Sequence, residues 1–470
     1  MRTEEDFMGK VQVPDQAYYG SFTARAAGNF KLSGMKVHPE LIRALTLVKK
    51  CAAKANAELG RLDQKTADAI AKAADEVMAG GLDKEFVLDA FQAGAGTPLH
   101  MNVNEVIANR AEELLGGSKG EYKLVHPNNH VNMAQSSNNE VPSAIKIATL
   151  RLADRTIKEA GLLQKALESK AREYKGVMKI GRTHLQDAVP MTYGQLFGAY
   201  ARAIEKDREG ISRSMELIRE IGVGGTAVGS AITAHPDFSK KAVAYLNKES
   251  SLDLHTARDG FELTQNMNDL LSVSSALRAY AVTLNRIAND LRLLASGPKA
   301  GIAEIILPEV EPGSSIMPGK VNPSIPEAVN MVCFQVMGND YAVLLATQSG
   351  QLELNFATPL IAHNLFQSAE LLANCSSMFR EHCVDGLKVD KEKTKENFEL
   401  SFGYATALNP YLGYKEVSLL VKEAYQKKVG LKELILQKGI MAKDDLEKVI
   451  ASATGPSLID DRIKKKIRAI

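Results

Sequence analysis

Tryptophan is absent from this chain of 470 residues, and aromatic residues make up only 6% of it. Cysteine is scarce as well: Cys51, Cys333, Cys375 and Cys383 are dispersed, with no C-x-x-C pair. That spacing indicates neither a disulfide framework nor a zinc site, and it fits a reducing compartment. Charge of one sign is also missing, since 58 Lys and Arg face 56 Asp and Glu for a net +2. A nucleic-acid surface or an acidic tail is therefore not indicated, and the expected partner is small. No run of about 18 apolar residues occurs. Met1 to Lys10 carries Glu4, Glu5 and Asp6 in place of the apolar stretch of a secretory signal. The expectation is a cytoplasmic protein with no membrane partner. Without a G-x-G-x-x-G after a strand or a Walker lysine motif, no nucleotide cofactor is indicated either.

What is present, 45% apolar and 24% charged residues, is the composition of a soluble globular protein, and the length suits roughly two to four domains. The first stretch, to about residue 37, reads as irregular surface structure around Tyr18, Tyr19 and Gly20. Helices begin after it. His38-Pro39-Glu40 opens a segment in which Leu41, Leu45, Val48 and Ala52 recur at helical spacing, and Asp63 and Thr66 start another.

From Pro142 the pattern changes to long helical runs. The first, with Ile145, Leu152, Leu163 and Leu167, covers about 30 residues, or about 45 Å of helix. The second runs from Pro190 to about Ile221, and the third from Phe261 to Ala295 without Pro or Gly. A fourth follows Pro326, ending at Gly338 or at Gln348, and a fifth spans Leu360 to Glu381. Five such helices make an elongated bundle whose apolar faces one chain cannot cover, so association through them is expected. The tail from about Val389 reads as a smaller helical unit with helices at Asp390–Asn397 and Leu412–Lys428 and a turn at Asn409-Pro410. Its basic end, Arg462 to Arg468, reads as a solvated helix end.

Four polar loops stand apart: Gly94-Ala95-Gly96-Thr97, Gln135 to Asn139, Gly181 to Asp187, and Gly313 to Pro323. Ser136 to Asn138 equally suits a plain helix cap. The segment 313–323 mixes glycines, prolines, serines, Lys320 and Asn322, as a flap closing over a carboxylate would. His184, alone, would be a structural histidine; the recurrence of polar loops beside long helices favours a shared site. His126 and His130 are four apart, but Pro127-Asn128-Asn129 reads as loop and no further ligand completes a metal set, so no metal is expected.

The segment G-S-S-I-M-P-G-K-V-N-P at 313–323 resembles the signature loop of the aspartase/fumarase superfamily. The resemblance extends to M-N-V-N-E-V-I-A-N-R-A near residue 101, H-P-N-N-H-V-N at 126, G-R-T-H-L-Q-D-A-V-P at 181, S-G-P-K-A-G at 296 and G-Q-L-E-L-N at 350. It implies a mainly α, three-domain subunit: an N-terminal loop-rich domain over 1–137, a central long five-helix bundle over 138–392 and a small helical domain over 393–470. Four such subunits would form a twenty-helix homotetramer, each site built from three of them. The implied substrate is a small dicarboxylate, with no cofactor and no metal.

The family's reaction takes ammonia, water or an amine from a succinyl compound to leave fumarate. Its difficulty is a proton on the carbon beside a carboxylate that is already negative, so the site needs preorganised donors for a second charge. Carried over, Ser314 resembles the general base, acting as an oxyanion favoured by Lys320 and loop N–H groups. Thr97, Ser136, Ser137 and Ser315 match the residues that hold the doubly charged carboxylate. Thr183, Lys320 and Asn322 match those for the other carboxylate. Asn138 and His184 match those that meet the leaving group, with Glu327 orienting His184. Glu327 also suits an ordinary first-turn acid after Pro326.

Within the family, Ala95, Val189 and Gln351 look like aspartases, whereas Ser137 and V-H-P-N-N-H-V-N look like fumarases. The aspartase-like positions carry more weight because two lie beside substrate loops. Departures from the family pattern are Pro98-Leu99-His100, Asn139, Ser143, Leu196 and Ala357-Thr358-Pro359.

Overall fold

Several helices begin where a side chain satisfies one of their free N–H groups. In the computed structural model, which describes residues 1–467, His38 Nδ1 accepts from the Glu40 N–H at 3.2 Å, and Pro39 opens the helix Pro39–Glu58. Asp63 caps Gln64–Met78 through the Thr66 N–H at 2.9 Å. Thr192 and Gln195 form a reciprocal cap, each side chain accepting from the other's N–H, and start the helix Tyr193–Leu217.

The chain divides into two compact units, one of residues 1–158, 207–281 and 332–374, the other of residues 159–206, 282–331 and 375–470. In the first unit, Pro39–Glu58 packs on Gln64–Met78, on Thr97–Leu114 and on Phe238–Ser250. Leu45, Val48 and Ala52 are fully buried there. In the second unit, the helices after Val389 close over their own core of Phe398, Tyr404, Leu408, Leu420, Leu434 and Leu446, which also takes in Ile180.

The fold class is as expected, mainly α. The long helices are Ser137–Glu173, Tyr193–Leu217, Asn268–Leu294, Ser324–Gln348 and Thr358–Phe379. The first has 37 residues, about 55 Å. The fourth passes through Gly338 to Gln348.

Four expectations are corrected. The opening segment is a hairpin, Arg2–Asp6 against Gly9–Val13 with Arg2 opposite Val13, followed by the helix Ser21–Asn29. The run from Phe261 breaks: Gly260–Gln265 ends, and the Asn266 side chain accepts from the Asn268 N–H at 3.2 Å to start Asn268–Leu294 afresh. A short polar side chain here outcompetes the continuous helix. Pro410 lies inside Ala405–Leu412, and the chain turns instead at Gly413, whose φ of +84° suits glycine. Pro127–Val131 forms one wide helical turn: His126 Nδ1 accepts from the N–H groups of Asn128 and Asn129, and His130 Nδ1 from that of His126.

All four cysteines are buried and none forms a disulfide. Helix Asp461–Lys466 carries the basic end, capped by Asp460, while Arg468 lies outside the described residues. No helix among the described residues is long and apolar enough to cross a membrane. Ser324–Gln348 nevertheless leaves Met331, Phe334 and Tyr341 58–64% exposed along one stripe.

Candidate active site

In the first unit, Gly94, Ala95 and Gly96 are left-handed in succession, with φ of 75°, 53° and 82°. Gly96 is required twice over, because a Cβ there would stand 2.8 Å from Val141 Cγ1. The contorted turn delivers Thr97 as the first residue of Thr97–Leu114. Thr97 donates its hydroxyl proton to the Gly94 carbonyl at 2.7 Å, so the 2.8 Å contact with Ser137 has Ser137 as donor.

Ser137 itself opens the helix Ser137–Glu173, and Ser136 Oγ accepts from the Asn138 N–H at 3.3 Å, the plain cap expected as one reading of it. Two helix N-termini thus bring the Thr97 and Ser137 hydroxyls together, and the positive ends of both helix dipoles favour an anion there. Asn138 is committed through its Nδ2 to the Ala227 carbonyl at 2.7 Å.

Behind this turn lies a polar cluster that the sequence reading missed. Lys49 is fully buried and bonds to His100 Nε2, to Asn132 Oδ1 at 2.9 Å and to Gln135 Oε1 at 2.9 Å. Asn56, two turns along the same helix, donates to the Met133 carbonyl at 3.1 Å. Together they fix the turn 132–136. Burial lowers the Lys49 ammonium to about 7, opposed by the charge of Glu140. Burial also raises Glu140 to about 7 and, with the charge of Lys49, holds His100 well below the ordinary imidazole range.

The signal was available: Lys49 falls on the face of Leu45, Val48 and Ala52. The departures Asn139 and Ser143 are structural here. Asn139 Nδ2 donates to Thr264 at 2.7 Å, and the Ser143 hydroxyl donates to the Asn139 carbonyl while accepting from the Gly222 N–H.

In the second unit, the segment expected as a loop at 181–187 is a hairpin. Met178–Thr183 pairs with Gln186–Thr192, and His184 and Leu185, at φ 56° and 62°, make the two-residue turn. Thr183 and His184 are exposed at its tip. Polar residues hid the strand alternation.

The segment 313–323 is closed at its neck. The Gly313 N–H donates to the Lys320 carbonyl and Asn322 Nδ2 to the Gly313 carbonyl, both at 2.8 Å. Lys320 Nζ donates to Asn322 Oδ1 at 2.6 Å. Ser314 Oγ receives the N–H groups of Ile316 at 3.2 Å and Met317 at 3.0 Å. Two backbone donors aimed at one hydroxyl oxygen favour negative charge on it. Ser315 is exposed at the loop's surface. Glu327 pairs within the chain with Arg292 at 3.6 Å. Among the described residues no cluster of three His, Cys, Asp or Glu is placed to hold a metal ion.

Comparison with known proteins gives a consistent picture. The family model described as lyase matches residues 9–338, and that described as fumarase C C-terminus matches residues 405–453. An aspartate ammonia-lyase of a Bacillus species is 46% identical over 450 residues, 96% of each chain. A class II fumarate hydratase of Chromobacterium violaceum is 44% identical, covering 95% of this chain and 97% of its own. Among solved structures, a fumarate lyase:delta crystallin from Brucella melitensis bound to cobalt superposes with a TM-score of 0.94 at 43% identity, over 97% of this chain and 100% of that one. The recombinant class II fumarase of Schistosoma mansoni superposes with a TM-score of 0.93 at 37% identity, over 96% and 99%.

Proposed function

The chain belongs to the aspartase/fumarase superfamily of lyases, and from that membership we propose that it is an aspartate ammonia-lyase, taking L-aspartate reversibly to fumarate and ammonia. Ser314, as the oxyanion, removes a proton from Cβ; the electron pair moves into the adjacent carboxylate, which becomes an enediolate. Thr97, Ser136, Ser137 and Ser315 hold that doubly charged group. Thr183, Lys320 and Asn322 hold the second carboxylate. Collapse of the enediolate expels the amine at Asn138 and His184, leaving a double bond and ammonia. Glu327 orients His184 in this reading, a partnership formed in the assembly, since within one chain Glu327 faces Arg292.

The observation that carries the mechanism is the pair of N–H donors on Ser314 Oγ. A serine without them is far too weak an acid to serve as a base at neutral pH. The exposed apolar stripe on Ser324–Gln348 supports assembly through that helix into a homotetramer. The three-domain division at 137 and 392 and a cytoplasmic location belong to the same reading.

The test is the growth of fumarate absorbance from L-aspartate. Ser314→Ala is expected to abolish it while the assembly state by light scattering stays unchanged; retained activity would remove Ser314 from the role. Class II fumarate hydratase is the second reading, favoured by Ser137, the H-P-N-N-H-V-N segment and the 44% identical hydratase. Turnover of malate with none of aspartate would select it. Addition of other amines to fumarate would point to another substituted succinate.

A further inference from the structure

Glu304 is the most heavily committed carboxylate of the second unit, and nothing above assigns it a task. Its side chain is fully buried. It takes Arg182 NH2 at 2.5 Å and NH1 at 3.3 Å, the Tyr193 hydroxyl at 2.7 Å and Asn397 Nδ2 at 3.0 Å. Its backbone is equally engaged: the N–H donates to the Leu294 carbonyl and the carbonyl accepts from the Asp390 N–H, both at 3.0 Å. One residue thus ties together the hairpin Met178–Thr192, the first residue of Tyr193–Leu217, the end of Asn268–Leu294 and the cap of Lys391–Leu400. Burial alone would raise its carboxyl, but the hydrogen bonds from Arg182, Tyr193 and Asn397 outweigh it and keep the group below the ordinary carboxylate range.

The contact that matters for the reaction is the one with Arg182. Arg182 stands two residues before His184 and lies opposite Asp187, one pair before the last of the hairpin, Thr183 opposite Gln186. The turn beyond it is exposed and held in left-handed geometry, so it has few contacts of its own to fix its position. A planar guanidinium gripped at two nitrogens by a buried carboxylate fixes both position and orientation, which a single ammonium does not.

We propose that Glu304 is a positioning residue for the lyase reaction, acting through Arg182 to hold the Thr183-His184 turn in place. The inference rests on the reading of His184 as the group that meets the leaving amine. Removing the clamp displaces His184 while the dicarboxylate keeps most of its other donors, so the expected loss falls on kcat rather than on KM. A shift of about 1 Å at a reacting group costs up to about a hundredfold.

Three variants of the full assembly test this. Glu304→Gln is expected to lower kcat about tenfold to a hundredfold with KM changed less than about threefold, and to speed amide exchange across residues 180–187. Tyr193→Phe removes a hydrogen bond from the same carboxylate without touching Arg182. It is expected to leave kcat and the hairpin's exchange near wild type even if thermal stability falls. Should Glu304→Gln not fold, Arg182→Lys tests the clamp from its outer end, with the same expectation as Glu304→Gln. Wild-type kcat in a folded clamp variant, or equal kcat losses in Glu304→Gln and Tyr193→Phe, would overturn the proposal. Exchange is measured without substrate, so an unchanged hairpin overturns it even if the chain proves inactive on aspartate and malate. Inactivity of the unaltered chain on both substrates instead counts against the proposed function.

Discussion

The turn at Gln135–Ser137 and the segment at 313–323 carry the same kinds of residue, yet they are built in opposite ways. The first is held from behind by buried side chains, Lys49 and Asn56, and its hydroxyls sit on the ends of two helices. The second is held by bonds within itself among the described residues: its neck bonds, the Lys320–Asn322 contact and the two N–H groups on Ser314 all lie inside the loop. Ile316 at its tip is 84% exposed. The contrast separates two demands of the proposed chemistry. Holding a doubly charged carboxylate rewards rigidity, because donors fixed in advance need no reorganisation when the charge appears. A base that must close over substrate and release product needs a segment that can move at low cost.

The comparison breaks most decisively at Lys49. Lys49→Met leaves His100, Asn132 and Gln135 without their shared donor and Glu140 without a nearby positive charge, a loss of about 3 kcal/mol. Chemical denaturation is expected to show that loss together with a large fall in activity; a loss below about 1 kcal/mol would mean the turn is held by something else.

Gly96→Ala and Gly319→Ala sharpen the contrast with one substitution in both places. Both glycines are left-handed, at φ 82° and 75°. At 96 the added methyl also meets Val141, whereas nothing lies within 4 Å of it at 319. The expected losses are about 2–3 kcal/mol at 96 and about 1 kcal/mol at 319. Equal losses from thermal melts would show that the first region is no more tightly packed than the loop.

The smallest effect concerns the scaffold of the rigid region. Glu249 bonds to Lys50 at 2.8 Å and Lys54 at 2.6 Å, which lowers its carboxyl from 4.5 to about 2. A carboxylate lowered in the folded state contributes its full stabilisation above about pH 4.5 and loses it as the pH falls toward 2. Glu249→Gln is expected to remove about 1 kcal/mol at neutral pH, after screening, and to flatten the acid limb in that window. A variant whose stability falls with acid as steeply as wild type would show that other carboxylates set that limb.

Helix placement was legible where its causes are local. His38, Asp63 and Asp390 announce their helices because a cap needs only a side chain and the next turn's N–H groups. The family segments likewise marked the four polar regions. What escaped depends on partners distant in sequence. The position of Lys49 on a buried helix face can be read locally, but its acceptors come from the turn at 132–135, more than 80 residues later. Gly181 to Asp187 reads as loop because its polar residues hide the strand alternation, and Glu304 becomes a hub only once Arg182, Tyr193 and Asn397 converge on it.

The turn at His184-Leu185 sets conformational economy against chemistry. Both residues occupy a backbone region that side chains enter at a cost, and an Asn-Gly pair would occupy it with less strain. Selection for robustness alone would therefore drift position 184 toward asparagine or glycine, and each such step would discard the imidazole. In the proposed reaction, where His184 meets the leaving amine, a histidine at this position trades backbone ease for turnover. Leu185 carries no such assignment, so Leu185→Gly offers a route to a sturdier variant that leaves the imidazole in place.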